Sequence, residues 1–214
     1  MVINFRQPSM TGFALVLGLM LALPLQAKSN FNYSQFQAQI GFANFDEPFL
    51  IQHDAGLVDE YSALQIWGLG LSYQTRPGLI VTINTTQGQS STDFTKLNSQ
   101  TYVAKLGYAI GIRRNWDVYA HIGQYLSRAQ ACNLVGCNRV EQTNLGYDLG
   151  FRAGAKNWFE WGMNLNTIGF LESNEESTLG AYAAVWIDRR SSLTTSVIRN
   201  TDTSAMTVGY RYSF

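Results

Sequence analysis

Apolar residues alternate with small or polar residues along most of the chain after residue 28. In LQIWGLGLSYQ, residues 64–74, the side chains of Trp67, Leu69 and Leu71 share one face, and glycine or serine lies between them. A period of two is the period of a β-strand. The alternation recurs at 33–42, 79–86, 102–113, 116–127, 144–153, 159–166, 179–187, 192–200 and 205–214. It predicts an all-β fold of about ten strands, with eight as the alternative.

The connections between these segments alternate in length. Short turns are predicted at 75–78, 113–115, 154–157 and 188–191, and the longer, more polar connections fall at 43–61, 88–100, 128–142, 170–177 and 200–204. Short turns at one end and long loops at the other are typical of a transmembrane antiparallel up-and-down β-barrel. In such a barrel the turns are periplasmic and the longer loops are extracellular.

Alternation alone does not tell the inside of a sheet from its outside. A soluble β-sandwich or a secreted lipocalin-like barrel would bury the face that carries Trp67, Ile110 and Leu149. Aromatic residues beside the short turns favour the membrane interpretation, because an interfacial girdle needs them there. These residues are Tyr73, Trp116, Trp158, Phe159, Tyr210 and Tyr212.

The first residues have the pattern of a secretory signal peptide. Arg6 precedes the apolar stretch 11–25, and Ala27 stands where cleavage is expected. The apolar stretch is shorter than the roughly 20 residues of a membrane-spanning helix. The sequence therefore predicts a signal peptide at 1–27 and one barrel domain at 28–214.

Composition and cysteine spacing narrow the classes of function. Charged residues make up 14% of the chain, with 15 acidic and 15 basic residues, so nothing suggests a nucleic-acid partner. The two cysteines, Cys132 and Cys137, lie close together, and an exported protein meets an oxidising compartment. A disulfide is the prediction. A metal site is the alternative, but the two histidines, His53 and His121, are distant in sequence.

The two ends of the chain together resemble those of the Gram-negative outer-membrane β-barrel proteins, of the small OmpA-barrel and OmpX/Ail type. The final strand ends in Phe214 and carries Tyr210 and Tyr212 at alternate positions. The resemblance implies that these three residues are recognised by the barrel-assembly machinery. It also implies outer-membrane localisation, beside lipid and lipopolysaccharide. The strand count departs from the eight strands of that type.

The predicted inward face carries charged and titratable residues that a narrow barrel would have to pair. We predict an internal ion-pair and hydrogen-bond network that stiffens the barrel. A water-filled pore lined by the same side chains is the alternative. The set comprises Lys105, Arg113, Asp117, His121, Asp148, Arg152, Glu160 and Arg211.

Catalysis and cofactor binding find little support in the sequence. Outer-membrane barrel enzymes need a histidine poised beside acidic or nucleophilic partners. His53 stands next to Asp54, but adjacent side chains on a strand face opposite ways, and His121 is better explained as a hydrogen-bonded interior residue. We predict no enzyme activity, no cofactor and no metal.

The longest predicted loop, Asn44–Glu60, contains apolar residues that could contact an extracellular ligand or pack over the barrel mouth. The sequence thus favours a monomeric barrel with a filled interior and a structural or surface-interaction role. A small passive channel is the alternative, and a surface hydrolase is the third hypothesis.

Overall fold

Ten antiparallel strands form a closed barrel in which each strand pairs with its neighbours in sequence and β1 closes against β10. The computed structural model describes residues 29–52, 58–75, 78–92, 94–132, 136–155, 158–170 and 175–214. The strands are β1 Gln35–Gln52, β2 Val58–Gln74, β3 Leu79–Ser91, β4 Lys96–Arg113, β5 Trp116–Cys132, β6 Cys137–Ala155, β7 Phe159–Ile168, β8 Glu176–Trp186, β9 Ser191–Arg199 and β10 Thr203–Ser213. The predicted barrel is confirmed, with ten strands rather than eight. The predicted signal peptide and His53 lie outside the described residues.

The apolar face of the strands points outward. Ile40 and Ile83 are 63% and 60% exposed, and Trp67 and Leu149 also lie on the outer surface. Inward positions of the same strands carry buried polar side chains, among them Glu160. This is the arrangement that lipid requires, and the soluble alternatives are wrong. Among the described residues, no helix is long and apolar enough to cross a bilayer.

At the inner end, where both termini of the barrel lie, the turns are tight. In the β2–β3 turn, Gly78 N–H donates to the Thr75 carbonyl at 3.0 Å, and Gly78 has a φ of 95°. This left-handed conformation favours glycine, because a Cβ would strain the backbone. A Cβ there would also stand 3.0 Å from the Tyr108 ring.

The outer hairpins differ from the sequence prediction, because much of each predicted loop is strand. β1 continues to Gln52 and β2 begins at Val58, so most of the Asn44–Glu60 segment is paired, with a register shift between Asn44 and Phe49. The predicted loops at 88–100 and 128–142 are mostly strand as well. Polar side chains outside the bilayer do not disturb a β-ladder. The change from alternating to polar sequence therefore indicates where a strand leaves the membrane, and the strand itself continues.

The barrel wall is therefore uneven in height. β4, β5 and β6 have 18, 17 and 19 residues, whereas β7, β8, β9 and β10 have 10, 11, 9 and 11. A tilted strand needs only about 9–11 residues to span the membrane. The strands β7–β10 thus barely exceed the bilayer, while β4–β6 project well beyond it.

Candidate functional site

The barrel interior divides into two walls of different chemistry. We call the inward residues of β4–β8 the ionic wall, because charged groups and rings dominate it. The inward residues of β9, β10, β1, β2 and β3 form the neutral wall, in which amides and hydroxyls prevail and Arg211 on β10 is the charged exception. The neutral wall includes Gln35, Gln37, Gln39, Ser72, Thr82, Asn84, Thr86, Ser192, Thr194 and Ser196.

One carboxylate joins the two walls near the inner end. Glu160, which is 1% exposed, accepts from Arg152 Nη2 and from Arg211 Nη1, each at 2.7 Å. The Tyr182 hydroxyl also donates to Glu160 at 2.9 Å. Two guanidinium groups around a single buried carboxylate give each charge a partner, and a buried charge without a partner is costly.

A second ion cluster lies on the ionic wall nearer the outer end. Lys105 Nζ donates to Asp148 Oδ2 at 3.2 Å, and Asn164 donates to the other carboxylate oxygen at 3.1 Å. The His121 Nδ1 atom lies 3.6 Å from Asp148 Oδ2. The Lys105 ammonium also lies 5.3 Å from the centre of the Tyr125 ring, within the range of a cation–π contact.

The segment before β1 crosses the inner mouth of the barrel and is held there by Asp117. We call Ser29–Ser34 the crossing segment. The Asp117 carboxylate, 1% exposed, accepts from Ser29 Oγ, from both nitrogens of Asn30 and from the Phe31 N–H. Asn30 Nδ2 also donates to the backbone carbonyl of Arg113, at 2.7 Å. A short carboxylate-centred anchor thus fixes the path of this segment.

Aromatic rings of the crossing segment fill the mouth. Phe31 and Tyr33 are buried against Ile80, Ala109 and Tyr119. The Arg152 guanidinium lies 4.8 Å from the Phe31 ring centre and 4.9 Å from that of Tyr33. Ile80 is an apolar residue on an otherwise polar inward face, and it packs against Phe31 and Tyr33 in this cluster. These residues form a small apolar cluster at the inner mouth.

Of the eight predicted interior residues, Arg113 is placed differently. It is exposed at the β4–β5 turn, where the ladder shifts register between Gly111 and Arg113. The shift takes its side chain off the inward face, so strict alternation gave the wrong side. The structure brings the other seven together as three groups. These are Asp117 at the crossing segment, Arg152–Glu160–Arg211, and Lys105–Asp148–His121.

Several inward glycines are covered by rings on the ionic wall and by amides on the neutral wall, although the Asn164 amide covers Gly180 on β8. On the ionic wall, a Cβ at Gly107 would overlap the His121 ring, and one at Gly150 would stand 2.5 Å from the Tyr119 ring. On the neutral wall, a Cβ at Gly70 would meet only the Asn84 side chain, at 2.6 Å. Rings packed over glycines fill the ionic wall, whereas thin amides leave room beside the neutral wall.

A cavity of about 310 Å³ remains between the two walls. Its inner boundary includes Tyr33, Tyr119 and Arg152, which belong to or touch the crossing segment. Among the described residues, no group of histidine, cysteine and acidic side chains could hold a metal ion.

The projecting β5–β6 hairpin carries its own polar cluster. Glu141 accepts from Arg128 Nε at 3.0 Å and from Arg139 at 2.9 Å. Hydrogen bonding from Arg128, chiefly, holds the pKa of the Glu141 carboxyl below the usual glutamate range. The predicted disulfide, Cys132–Cys137, is confirmed at the end of this hairpin, where the two residues face each other in the ladder.

The open side of this hairpin is the feature that sequence analysis missed. β6 pairs with β5 along its whole length, but its pairing with β7 begins only at Gly146. Residues 137–143 are exposed, and among the described residues their backbone faces no strand on the β7 side. The alternation of apolar residues begins only at residue 144, so the pattern of the sequence contains no signal for this extension of β6.

Comparison with known proteins identifies a family for the sequence. A family model described as the outer membrane protein beta-barrel domain matches residues 13–214. No curated protein sequence matches the chain.

Solved structures of several bacterial barrels are similar at low sequence identity. Neisserial surface protein A is 13% identical, with a TM-score of 0.42, over 87% of this chain and 98% of that one. The attachment invasion locus protein Ail of Yersinia pestis is 14% identical, with a TM-score of 0.39, over 85% and 99% of the two chains. The KdgM porin is 12% identical, with a TM-score of 0.43, over 83% and 99%.

Proposed function

The chain belongs to the outer-membrane β-barrel family, and from that premise we propose that it is a closed barrel whose outer hairpins contact molecules at the cell surface. The observation that carries this proposal is the excess length of β4, β5 and β6. Residues beyond the roughly 9–11 needed to cross the membrane add nothing to the span. Their ordered, paired structure outside the bilayer is suited to contact with another molecule.

The open edge of β6 indicates how such a contact would form. An exposed strand edge presents unpaired backbone N–H and C=O groups, which an extended segment of another protein can pair with. The disulfide at the tip and the Arg128–Glu141–Arg139 cluster hold this edge in place. A pre-ordered edge loses less conformational entropy on binding than a mobile loop does. The proposed partner is therefore an extended peptide segment at the cell surface.

A closed interior argues for this role over the alternative of a passive channel. The cavity between the walls supports a channel, but the crossing segment lies across its inner side. The hydrolase hypothesis is weaker still. In the described part of the chain, neither ring nitrogen of His121 has a hydrogen-bond partner, so no nucleophile is positioned beside it. We therefore propose a protein without enzyme activity.

The remaining partners follow from the same proposal. The outward apolar band would contact lipid and lipopolysaccharide. The barrel-assembly machinery would recognise Tyr210, Tyr212 and Phe214, which lie on or beside β10. β10 closes the barrel by pairing with β1 from Ser213 to Thr203. Because that closure completes the ladder, a monomer suffices to remove every strand edge within lipid.

Shortening the β5–β6 hairpin tests the contact role. Replacing residues 129–140 with Asn-Gly places a two-residue turn between the paired residues Arg128 and Glu141. We expect bacteria that display this variant to lose adhesion to immobilised extracellular-matrix proteins and cultured epithelial cells. The matched control replaces residues 200–203 with Asn-Gly between Arg199 and Ser204 and should adhere like the original protein. Equal adhesion by the two variants would contradict the proposal.

Planar-bilayer recording tests the closed interior. The original protein should give no reproducible conductance steps. Asp117→Ala removes the acceptor that holds Ser29, Asn30 and Phe31, so the crossing segment should leave the mouth and brief openings should appear. Steady conductance by the original protein, equal to that of the variant, would instead establish the channel.

A further inference from the structure

We propose that the cavity between the ionic wall and the neutral wall binds a small, neutral, polyhydroxylated molecule of the saccharide class, which enters from the outer mouth. This site is separate from the hairpin surface, and the proposal does not depend on the contact role. It rests on the size of the cavity, the chemistry of its walls and the balance of charge within it.

The size of the cavity suits one sugar unit. At roughly 30 Å³ for each water molecule in the liquid, 310 Å³ holds about ten water-sized groups. The volume is also near the lower limit of about 300 Å³ for small-molecule sites. Because the crossing segment lies across the inner end, a solute that enters from outside meets a floor. The geometry is that of a blind pocket.

The neutral wall offers the hydrogen-bond chemistry that a polyol requires. Amides and hydroxyls both donate and accept, as sugar hydroxyls do. Gln39 lies opposite Gly68, and Asn84 lies opposite Gly70, so each amide is next to a residue that has no side chain to block it. A planar amide beside a glycine can reach neighbouring hydroxyls of one ligand.

Charges within the interior cancel, which favours a neutral ligand over an ionic one. In the three interior groups, the cations are Lys105, Arg152 and Arg211, and the anions are Asp117, Asp148 and Glu160. Each cation here pairs with an anion, and Asp117 is engaged by the crossing segment. Across these three groups the formal charges sum to zero, which favours a neutral ligand over a carboxylate or an ammonium group.

Several residues that line the cavity carry buried polar atoms without a hydrogen-bond partner among the described residues. Gln35 Oε1, Arg211 Nε and both ring nitrogens of His121 are buried and have no hydrogen-bond partner among the described residues. All three residues line the cavity. Buried polar atoms without partners cost free energy, and a hydroxyl-rich ligand can satisfy donors and acceptors alike. The rings of Tyr119 and Tyr182 also line the cavity and provide apolar surface for the C–H faces of a sugar.

The histidine signals provide a direct test, because the chain has only His53 and His121. The full chain in detergent, with isotope-labelled histidine, is titrated with glucose, maltose and glucuronate, and a His53→Gln variant assigns the two imidazole signals. We expect glucose or maltose to shift the His121 signal and leave the His53 signal unchanged. Glucuronate should bind more weakly than glucose.

A pair of glutamine variants locates the site. Gln39→Leu removes an amide that lines the cavity, and we expect at least a roughly fivefold increase in the sugar Kd, as for one lost hydrogen bond. Gln89→Leu, at an exposed position on the outer face of β3, is the matched control and should leave the Kd unchanged.

Each alternative outcome overturns the proposal. These are no shift of the His121 signal with either neutral sugar, tighter binding of glucuronate than of glucose, or equal Kd values for Gln39→Leu and the original protein. If Gln39→Leu does not fold, the His121 shift in the original protein decides. Adhesion by the hairpin is measured separately, so the two proposals can fail independently.

Discussion

The two walls of the barrel interior use the same alternation of glycine with larger residues but reach different results. On the ionic wall the larger residues are rings and ions, and Tyr119 and His121 cover Gly150 and Gly107. On the neutral wall they are amides such as Gln39 and Asn84, beside Gly68 and Gly70. Rings over glycines give a packed wall, whereas amides over glycines leave a cavity. The identity of the covering residue, and not the glycine, determines whether the interior is filled.

The walls also differ in what they cost to form. Burying a charge requires a partner of excellent geometry, whereas a buried hydroxyl requires only one hydrogen bond. Glu160 meets this demand with two guanidinium groups and one phenol. We propose that the ionic wall thereby stiffens the barrel, while the neutral wall contributes little rigidity. The predictions below test this difference, beginning with the largest effect.

Removing the shared carboxylate should have the largest effect. Glu160→Gln leaves Arg152 and Arg211 buried without a counter-charge, and breaking a buried ion pair costs about 3–5 kcal/mol. The measurement is the free energy of unfolding in urea, with the protein in detergent micelles. Glu47→Gln, at an exposed position, is the control and should change this free energy by less than about 0.5 kcal/mol. Equal values for the two variants would show that the ionic wall does not stiffen the barrel.

A matched pair of glycine substitutions compares the walls directly. In Gly150→Ala, the new Cβ would stand 2.5 Å from the Tyr119 ring and 2.7 Å from the Met163 carbonyl oxygen. Neither the ring nor the backbone can yield cheaply, so we expect a loss of about 1–3 kcal/mol in the free energy of unfolding. Gly70→Ala meets only the flexible Asn84 amide and should cost less than about 1 kcal/mol. Equal losses at the two sites would contradict the proposed difference in packing.

Much of the fold could be predicted, because lipid and strand geometry leave few choices. A period of two fixes which residues share a face, and the bilayer fixes that the apolar face looks outward. Ile40 and Ile83 on the outside and Glu160 on the inside follow from these two constraints. The disulfide could be predicted because Cys132 and Cys137 are close in sequence and a hairpin places them opposite each other.

The predictions that failed, and the contacts that were not predicted, depend on three-dimensional geometry that the local sequence pattern does not contain. Arg113 left the inward face because the ladder shifts register at the turn, and a one-residue shift reverses the face. The crossing segment alternates asparagine with Phe31 and Tyr33, but nothing in that pattern points to Asp117 as its anchor. Likewise, which inward charges meet depends on the stagger between strands. Arg211 and Glu160 lie on β10 and β7 and contact each other only across the lumen.

The smallest effect is expected outside the membrane, where ion pairs are exposed. The Glu141 carboxylate of the β5–β6 hairpin has a pKa below the usual glutamate range, mainly because Arg128 donates to it. The contribution of this carboxylate to the stability of the hairpin should therefore be fully present above the ordinary glutamate pKa. It should be lost as the pH falls through the lowered pKa. As the pH falls through that lowered value, we expect the protection factors for amide hydrogen exchange around residues 128 and 141 to decrease without loss of the barrel. Glu141→Gln should have the lower protection factors already at neutral pH, and they should change little with pH. If this variant responds to pH as the original protein does, another group holds the hairpin, and the exposed ion cluster contributes nothing comparable to the buried one.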